Sequence, residues 1–446
     1  MPTAIFNIAR SGLTQNRRSL ELTAQNVANA ENPDFSRRSL TQSELVLTGN
    51  IGNNAQDSLG GVKPGVIVRA ESSLVQRQAR DSTSALAAAD AEFFALKEAE
   101  SALETSGVFT GLVDFEAALT RLQNNPTEPA LRLSALEAGR KMAGNFRIAN
   151  GTLANARSLV QAEASAQTLT VNEVAGELAK INADLVGSRE GTAGRAALLD
   201  ARDKALRGLA EEFGISATIN SNGTADVAIS GTPPLALVTG GAAQTVSTSF
   251  AADGTVSFAV GGTAFVPSGG AMAGRASALA GMAGLQTSLD GLAVSAITLS
   301  NTAQANGVGL DGNPGQPLFA GTGAGSIDLV LASADGLATA PAGAPAGSRD
   351  TANLAALIGV LGDASGPITG VDSLLLGLSS RVSALETRRD GLAVVSASAE
   401  SELLRETGVD LDTEAANLVR LQQAFEANSR VIQVATELFD TILGLG

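Results

Sequence analysis

Apolar residues return every seven positions near both ends of the chain. Phe6, Leu13, Leu20 and Val27 form one series, and Leu411, Leu418, Phe425, Ile432 and Phe439 form the other. A seven-residue apolar repeat is the seam of helices that pack side by side. The first series predicts a helix over 2–30, closed at Asn32-Pro33 because the residue before proline is pushed out of the helical region. The second predicts a helix that opens near Asp410–Asp412, where an Asp can accept hydrogen bonds from the free N–H groups of the first turn. Each helix of about thirty residues is roughly 45 Å long. Two such thin helices need further neighbours beyond each other.

Between them the pattern changes three times. Residues 35–70 read as loops and short strands, with Leu45-Val46-Leu47 and Val66-Ile67-Val68 as hairpin candidates. Helical stripes follow over 71–104 (Leu86, Ala89, Phe93, Leu96, Leu103), 112–122, 129–187 and 195–213. Within the third, Gly139, Phe146, Leu153 and Val160 repeat by seven, with Met142, Ala149 and Ala156 as the second series, and these read as ordinary core. From Gly214 the period drops to two. Ile215, Ala217, Ile219, Val227 and Ile229 alternate around Asn222-Gly223, and Val256, Phe258 and Val260 follow Asp253-Gly254, both strong hairpin turns. Helical pattern returns over 272–305, 351–363 and 370–405, separated by a Gly/Pro-rich stretch with a possible strand at 327–331.

The expected fold is mainly α with a small inserted β domain. It is a nested multi-domain architecture in which the N- and C-terminal helices form a coiled-coil-like stem. The stem takes residues 1–55 and 406–446, a helical middle domain takes 56–213 and 271–405, and the β domain is 214–270. Terminal helices that sit together require the chain to go out and come back, so the insert is expected at the far tip.

Composition narrows the chemistry. The 446 residues contain no Cys and no His. Disulfides, thiolate or imidazole metal sites, and Ser-His-Asp or Cys-His catalysis are therefore excluded. The net charge of −15, with no Lys/Arg cluster, argues against a nucleic-acid partner. No stretch is apolar enough for membrane insertion, and the first residues lack the basic and apolar regions of a secretory signal.

Gly307-Val-Gly309-Leu-Asp-Gly312 matches a dinucleotide-binding pattern, but a turn, Asn313-Pro314-Gly315, follows where a helix is required. Asp410, Asp412 and Glu414 fail as a calcium loop because Ala415 stands where glycine is needed. No catalytic, cofactor-binding or metal residue is therefore assigned. A carboxylate pair for glycoside hydrolysis remains open, since spacing in space is invisible in a sequence.

Residues 24–37, Ala24-Gln-Asn26-Val-Ala-Asn29-Ala-Glu-Asn32-Pro33-Asp34-Phe35-Ser36-Arg37, resemble the N-terminal motif of the bacterial flagellar rod, hook and hook-associated proteins. That motif usually reads A-x-N-x-A-N-x-x-T-P-G-Y-S-R. Asn26, Ala28, Asn29, Pro33, Ser36 and Arg37 match; Asn32, Asp34 and Phe35 replace Thr, Gly and Tyr. Leu198-Leu-Asp200-Ala-Arg202-Asp203, Asp311 to Phe319 and Gly408 to Phe425 are similar to blocks of the hook-associated members.

The resemblance implies a non-enzymatic structural protein of the flagellum, joining hook to filament, with no cofactor. It implies export through the flagellar type III channel without cleavage, an extracellular location and a tubular homo-oligomer. Its implied partners are the hook protein, a second hook-associated junction protein with the filament, and an export chaperone. The assembly interface would be the two apolar series. The turn Asn26, Asn29, Asn32, Pro33, Ser36 and Arg37 would redirect the chain from the inner helix to the next layer. The alternatives are a hook or distal-rod protein, a secreted carboxylate-based cell-wall hydrolase, and an adhesin with 214–270 as its head.

Overall fold

The computed structural model describes residues 2–44 and 60–444, so the candidate strand Leu45-Val46-Leu47 lies outside the described residues. In chain order the elements are α1 (Pro2–Ala28), β1 (Arg38–Glu44), β2 (Val62–Arg69), α2 (Ser73–Thr105), α3 (Val108–Asn124), α4 (Pro129–Gly187) and α5 (Ala193–Glu212). Strands β3 (Ile215–Ile219), β4 (Ala225–Ile229), β5 (Gly231–Thr232), β6 (Leu235–Thr239), β7 (Ala242–Ala243), β8 (Val246–Phe250), β9 (Val256–Val260) and β10 (Thr263–Pro267) follow. Then come α6 (Gly270–Ala305), the short strands β11 (Gly307–Val308), β12 (Phe319–Ala320), β13 (Asp328–Leu329) and β14 (Ala340–Pro341), and α7 (Ala352–Leu361), α8 (Pro367–Thr407) and α9 (Leu411–Gly444). The mainly helical class with a small β region agrees with the sequence expectation.

The chain divides into two compact units, Met1–Ala85 with Thr170–Thr245 and Ala393–Gly446, and Leu86–Leu169 with Val246–Leu392. The division at 245/246 falls inside the segment 214–270 that reads as one insert. In the first unit β3, β4, β6 and β7 form an antiparallel sheet. The Asn222-Gly223 turn joins its first two strands, Gly223 adopting φ 85°. Ala225, Val227 and Ile229 of β4 are buried and the residues between them half-buried, as period-two alternation requires. In the second unit β8, β9 and β10 pair in antiparallel order, with Gly254 at φ 87° in the β8–β9 turn.

The core of the second unit is built on α4. Phe146, Leu153, Val160, Met142, Ala149 and Ala156 are all buried in one cluster with Phe93, Phe115 and Phe319. Gly139 is small because the Phe115 and Phe319 rings meet edge to face beside it, and a Cβ there would lie 3.2 Å from each. The Gly/Pro-rich stretch after α6 has little regular structure. Polar side chains hold it instead: the side-chain carbonyl oxygen of buried Gln304 accepts from Ala338 N–H at 2.7 Å, and half-buried Asn301 accepts from Leu318 and Phe319 N–H. Such bonds satisfy backbone groups that no ladder reaches.

Candidate assembly site

The terminal helices pair within the first unit. Asn26 of α1 meets Glu414 of α9, and a Cβ at Gly12 would lie 3.0 Å from the Asn428 amide, so the two run antiparallel. Glu414, Leu421 and Ala435 are buried on α9 at multiples of seven, with half-buried Asn428 completing the series. On α1 the buried residues are Ala9, Gln15, Asn16, Leu22, Thr23 and Asn26. The seam is therefore made largely of small and polar residues that let the backbones approach closely.

The nine predicted anchors flank that seam. Leu13, Leu20, Leu418, Phe425 and Ile432 are half-buried. Phe6 (39% exposed), Val27 (40%), Leu411 (51%) and Phe439 (46%) face outward. Their neighbours Val434 and Leu438 are exposed as well. The sequence pattern found the large apolar residues, and the structure leaves four of them exposed and covers the other five only in part.

The motif turn closes α1. Asn29 Nδ2 donates to the Gln25 carbonyl, Asn32 N–H to the Asn29 carbonyl, and the Asn32 side chain accepts from Asp34 N–H at 3.1 Å. Pro33 is exposed and Ser36 buried. Asn26 docks the end of α1 through three hydrogen bonds. Its amide donates to the Arg38 carbonyl at 2.9 Å and to Glu414 Oε1 at 3.0 Å, and its carbonyl accepts from Arg38 N–H at 3.1 Å. One side chain thus joins α1, β1 and α9. Arg37 N–H donates to the Thr407 carbonyl at the end of α8, and Arg37 O accepts from Ala70 N–H. Asp410 opens α9 as expected, accepting from Thr413 N–H at 2.9 Å.

Two departures from the family motif have partners here. The Phe35 ring lies under the Arg38 guanidinium, 4.7 Å from its centre. Asp34 pairs with Lys204 at 3.1 Å and with Arg207, both on α5. Burial pushes the Asp34 carboxyl up, but the hydrogen bond from Lys204 and the charges of Arg207 and Lys204 outweigh it and hold it below the usual carboxylate range.

Because that value is depressed in the fold, the unfolded chain binds the proton more readily. The stability from Asp34 is complete above the unfolded value of about 4 and disappears as pH falls through the lower folded value. Asp34→Asn is expected to remove this part of the acid sensitivity. Its unfolding midpoint should fall less than that of the native chain between about pH 5 and pH 3. Parallel acid profiles for the two would refute the contribution.

Behind the turn lies a buried ion-pair network that single-residue reasoning missed. Asp200 accepts from Arg38 Nη2 and Arg69 Nε, each at 2.6 Å. Asp203 accepts from Arg69 Nη2 at 2.6 Å, from Gln76 at 2.9 Å, and from Arg202 Nη2 and Nε at 2.7 and 2.9 Å. All but Gln76 are buried. Burial would lower the Arg69 guanidinium, but the charges of Asp203 and Asp200 raise it above its ordinary value. The Leu198–Asp203 block was the available signal: two carboxylates three apart on one helix face must meet cations there or be desolvated alone.

Among the described residues no group of acidic side chains is arranged to hold a metal ion, and no helix is long and apolar enough to cross a membrane. Comparison with known proteins agrees with the geometry. The profile of the flagellar hook-associated protein FlgK helical domain matches residues 96–319, and that of the flagellar basal body rod FlgEFG protein C-terminal region matches 400–445. The flagellar hook-associated protein 1 of Bacillus subtilis (strain 168) is 25% identical over 494 aligned positions, covering 98% of this chain and 97% of that protein. The structure of the flagellar hook junction protein FlgK from Burkholderia pseudomallei superposes with a TM-score of 0.50 at 23% identity, over 55% of this chain and 46% of that one. With the helical-domain profile spanning half of its residues, the chain belongs to the flagellar hook-associated protein FlgK family.

Proposed function

We propose that this chain is a structural, non-catalytic joint between the flagellar hook and filament, and that its paired terminal helices are the parts that assemble. The observation that carries the reading is the position of the apolar side chains. Small and polar residues fill the seam between α1 and α9, while Phe6, Val27, Leu411, Val434, Leu438 and Phe439 remain exposed. Large apolar side chains left exposed at both ends of a helix pair mark contact surfaces. A helix pair with apolar residues on its outer faces suits a tube in which every pair is flanked by others.

In this reading the Asn26–Arg37 turn fixes the angle at which the stem meets the rest of its unit. The partners are copies of the chain, the hook protein on one side, and a second junction protein with the filament on the other. The chain reaches the flagellum uncleaved through the type III channel, with an export chaperone covering the apolar flanks beforehand.

The test is Phe439→Asp combined with Phe6→Asp. Both side chains are exposed, so the isolated chain should keep its stability to within about 0.5 kcal/mol per site. Cells carrying this variant as their only copy should bear hooks without filaments and shed unpolymerised flagellin into the medium. Full-length filaments on such cells would overturn the reading.

A further inference from the structure

A cleft of about 410 Å³ lies in the first unit, lined by residues of α1, β1, β2 and α9 and by the segments flanking the two strands. Its wall carries four arginines, Arg37, Arg38, Arg69 and Arg420, against a single carboxylate, Glu414. Asp200 and Asp203 balance Arg38 and Arg69 from behind, so the cations of the wall that no carboxylate contacts among the described residues are Arg37 and Arg420. Two of the arginines face Asp200 and Asp203 with only part of their donor set. Arg38 Nε and Arg69 Nη1 are buried and make no hydrogen bond among the described residues, although Glu71 stands 3.7 Å from the latter. Arg37 makes no side-chain ion pair among the described residues, although its charge reaches Asp410, and among the same residues Arg420 donates only to Asn417 of its own helix. Glu414 supplies one oxygen to Asn26. The cleft therefore offers more donors than acceptors, in the planar forks that match a carboxylate.

We propose that this cleft is the socket for an acidic side chain, Glu437 or Asp440, from α9 of a second copy of the chain. Both residues are exposed and make no ion pair among the described residues. They flank Leu438 and Phe439, the apolar residues assigned above to contacts between copies, so the inference rests on that reading and adds a charged register mark to it. An apolar stripe can slide along a helix; a carboxylate in an arginine-lined socket fixes the stagger between neighbours.

The experiment uses the full chain and purified hooks. Arg37→Glu with Arg420→Glu should leave the unfolding midpoint unchanged and lower attachment to hook ends on the order of tenfold or more. Adding Glu437→Arg and Asp440→Arg to the same chain should restore attachment. Should the charge reversals disturb folding, Arg37→Gln with Arg420→Gln is the substitute and should also weaken attachment. Native attachment by the arginine variants, or a loss that the swap leaves unrepaired, overturns the socket. Sub-millimolar binding of inorganic phosphate that the arginine variants abolish, with attachment intact, assigns the cleft to a free anion and also overturns it. If Phe439→Asp with Phe6→Asp still builds filaments, the assembly reading itself fails. If that variant fails to build them while the arginine variants attach normally, only the socket falls.

Discussion

Asp203→Ala will destabilise the chain by about 3–5 kcal/mol, because it breaks a buried ion network from one side only. The carboxylate accepts from Arg69, Arg202 and Gln76 at 2.6–2.9 Å. Its removal leaves two buried guanidinium groups facing an alanine, with Asp200 alone to compensate Arg38 and Arg69. The desolvation cost of those cations persists while the attraction that offset it is gone. For a cooperative unit of a few hundred residues the expected fall in the melting midpoint is roughly 6–20 °C. The internal control, in the same unit, is Glu21→Ala, which breaks the Arg17–Glu21 pair at 3.2 Å, both of whose side chains are more than half exposed. Exposed pairs contribute about 0.2–1 kcal/mol, so that midpoint should move by no more than about 4 °C. Calorimetry on the two variants measures the difference burial makes. Equal shifts would mean that the network, despite its short contacts, adds nothing over a solvated pair.

The same network marks the limit of what the sequence displays. The Leu198–Asp203 block was visible as a motif, but its partners Arg38 and Arg69 lie 162 and 131 residues away from Asp200. No local pattern connects them. Strand β1 was equally hidden: Arg-Ser-Leu-Thr-Gln-Ser-Glu contains one apolar residue, and its strand character comes from the ladder to β2. By contrast the α4 core series, the two Gly-containing hairpin turns and the Asp410 cap were all legible. Each is decided by residues within a turn or two of one another.

The terminal helices show both cases at once. Their existence and ends followed from periodicity and from Pro33. The face by which they touch each other did not, because Ala9, Gly12, Asn16, Asn26, Glu414 and Asn428 carry little hydropathy. Hydropathy ranks residues by their cost in water, whereas close helix approach selects for small size and, at Asn26 and Glu414, for polar groups that pair across the seam.

Arg132→Met should destabilise the second unit by a comparable amount, and for a different reason. Arg132 is fully buried in the first turn of α4 and makes no ion pair among the described residues. Its Nε donates to the Pro126 carbonyl at 2.6 Å, Nη1 to the carbonyls of Leu337 and Ala334 at 2.9 and 3.1 Å, and Nη2 to Thr339 Oγ1 at 2.9 Å. Burial lowers the guanidinium from its ordinary value, with the more distant Asp335 and Asp311 partly opposing. Arginine stays charged there because it starts so high. The cation thus acts as a hub for carbonyls that the loop at 334–339 cannot satisfy through a ladder. Methionine fills much of the volume but donates nothing, and each orphaned buried carbonyl costs about 1–3 kcal/mol, so the total should reach about 3–5 kcal/mol or more. Lysine keeps the charge, yet one compact ammonium cannot span Pro126, Leu337 and Thr339 together, so Arg132→Lys should fall between the two. Amide exchange supplies the spatial readout: Ala338, bonded to Gln304, and Leu354, bonded to the Thr339 carbonyl, should lose protection first. If Arg132→Met melts within about 1 kcal/mol of the native chain, the carbonyls have other acceptable partners and the loop is held by its apolar contacts alone.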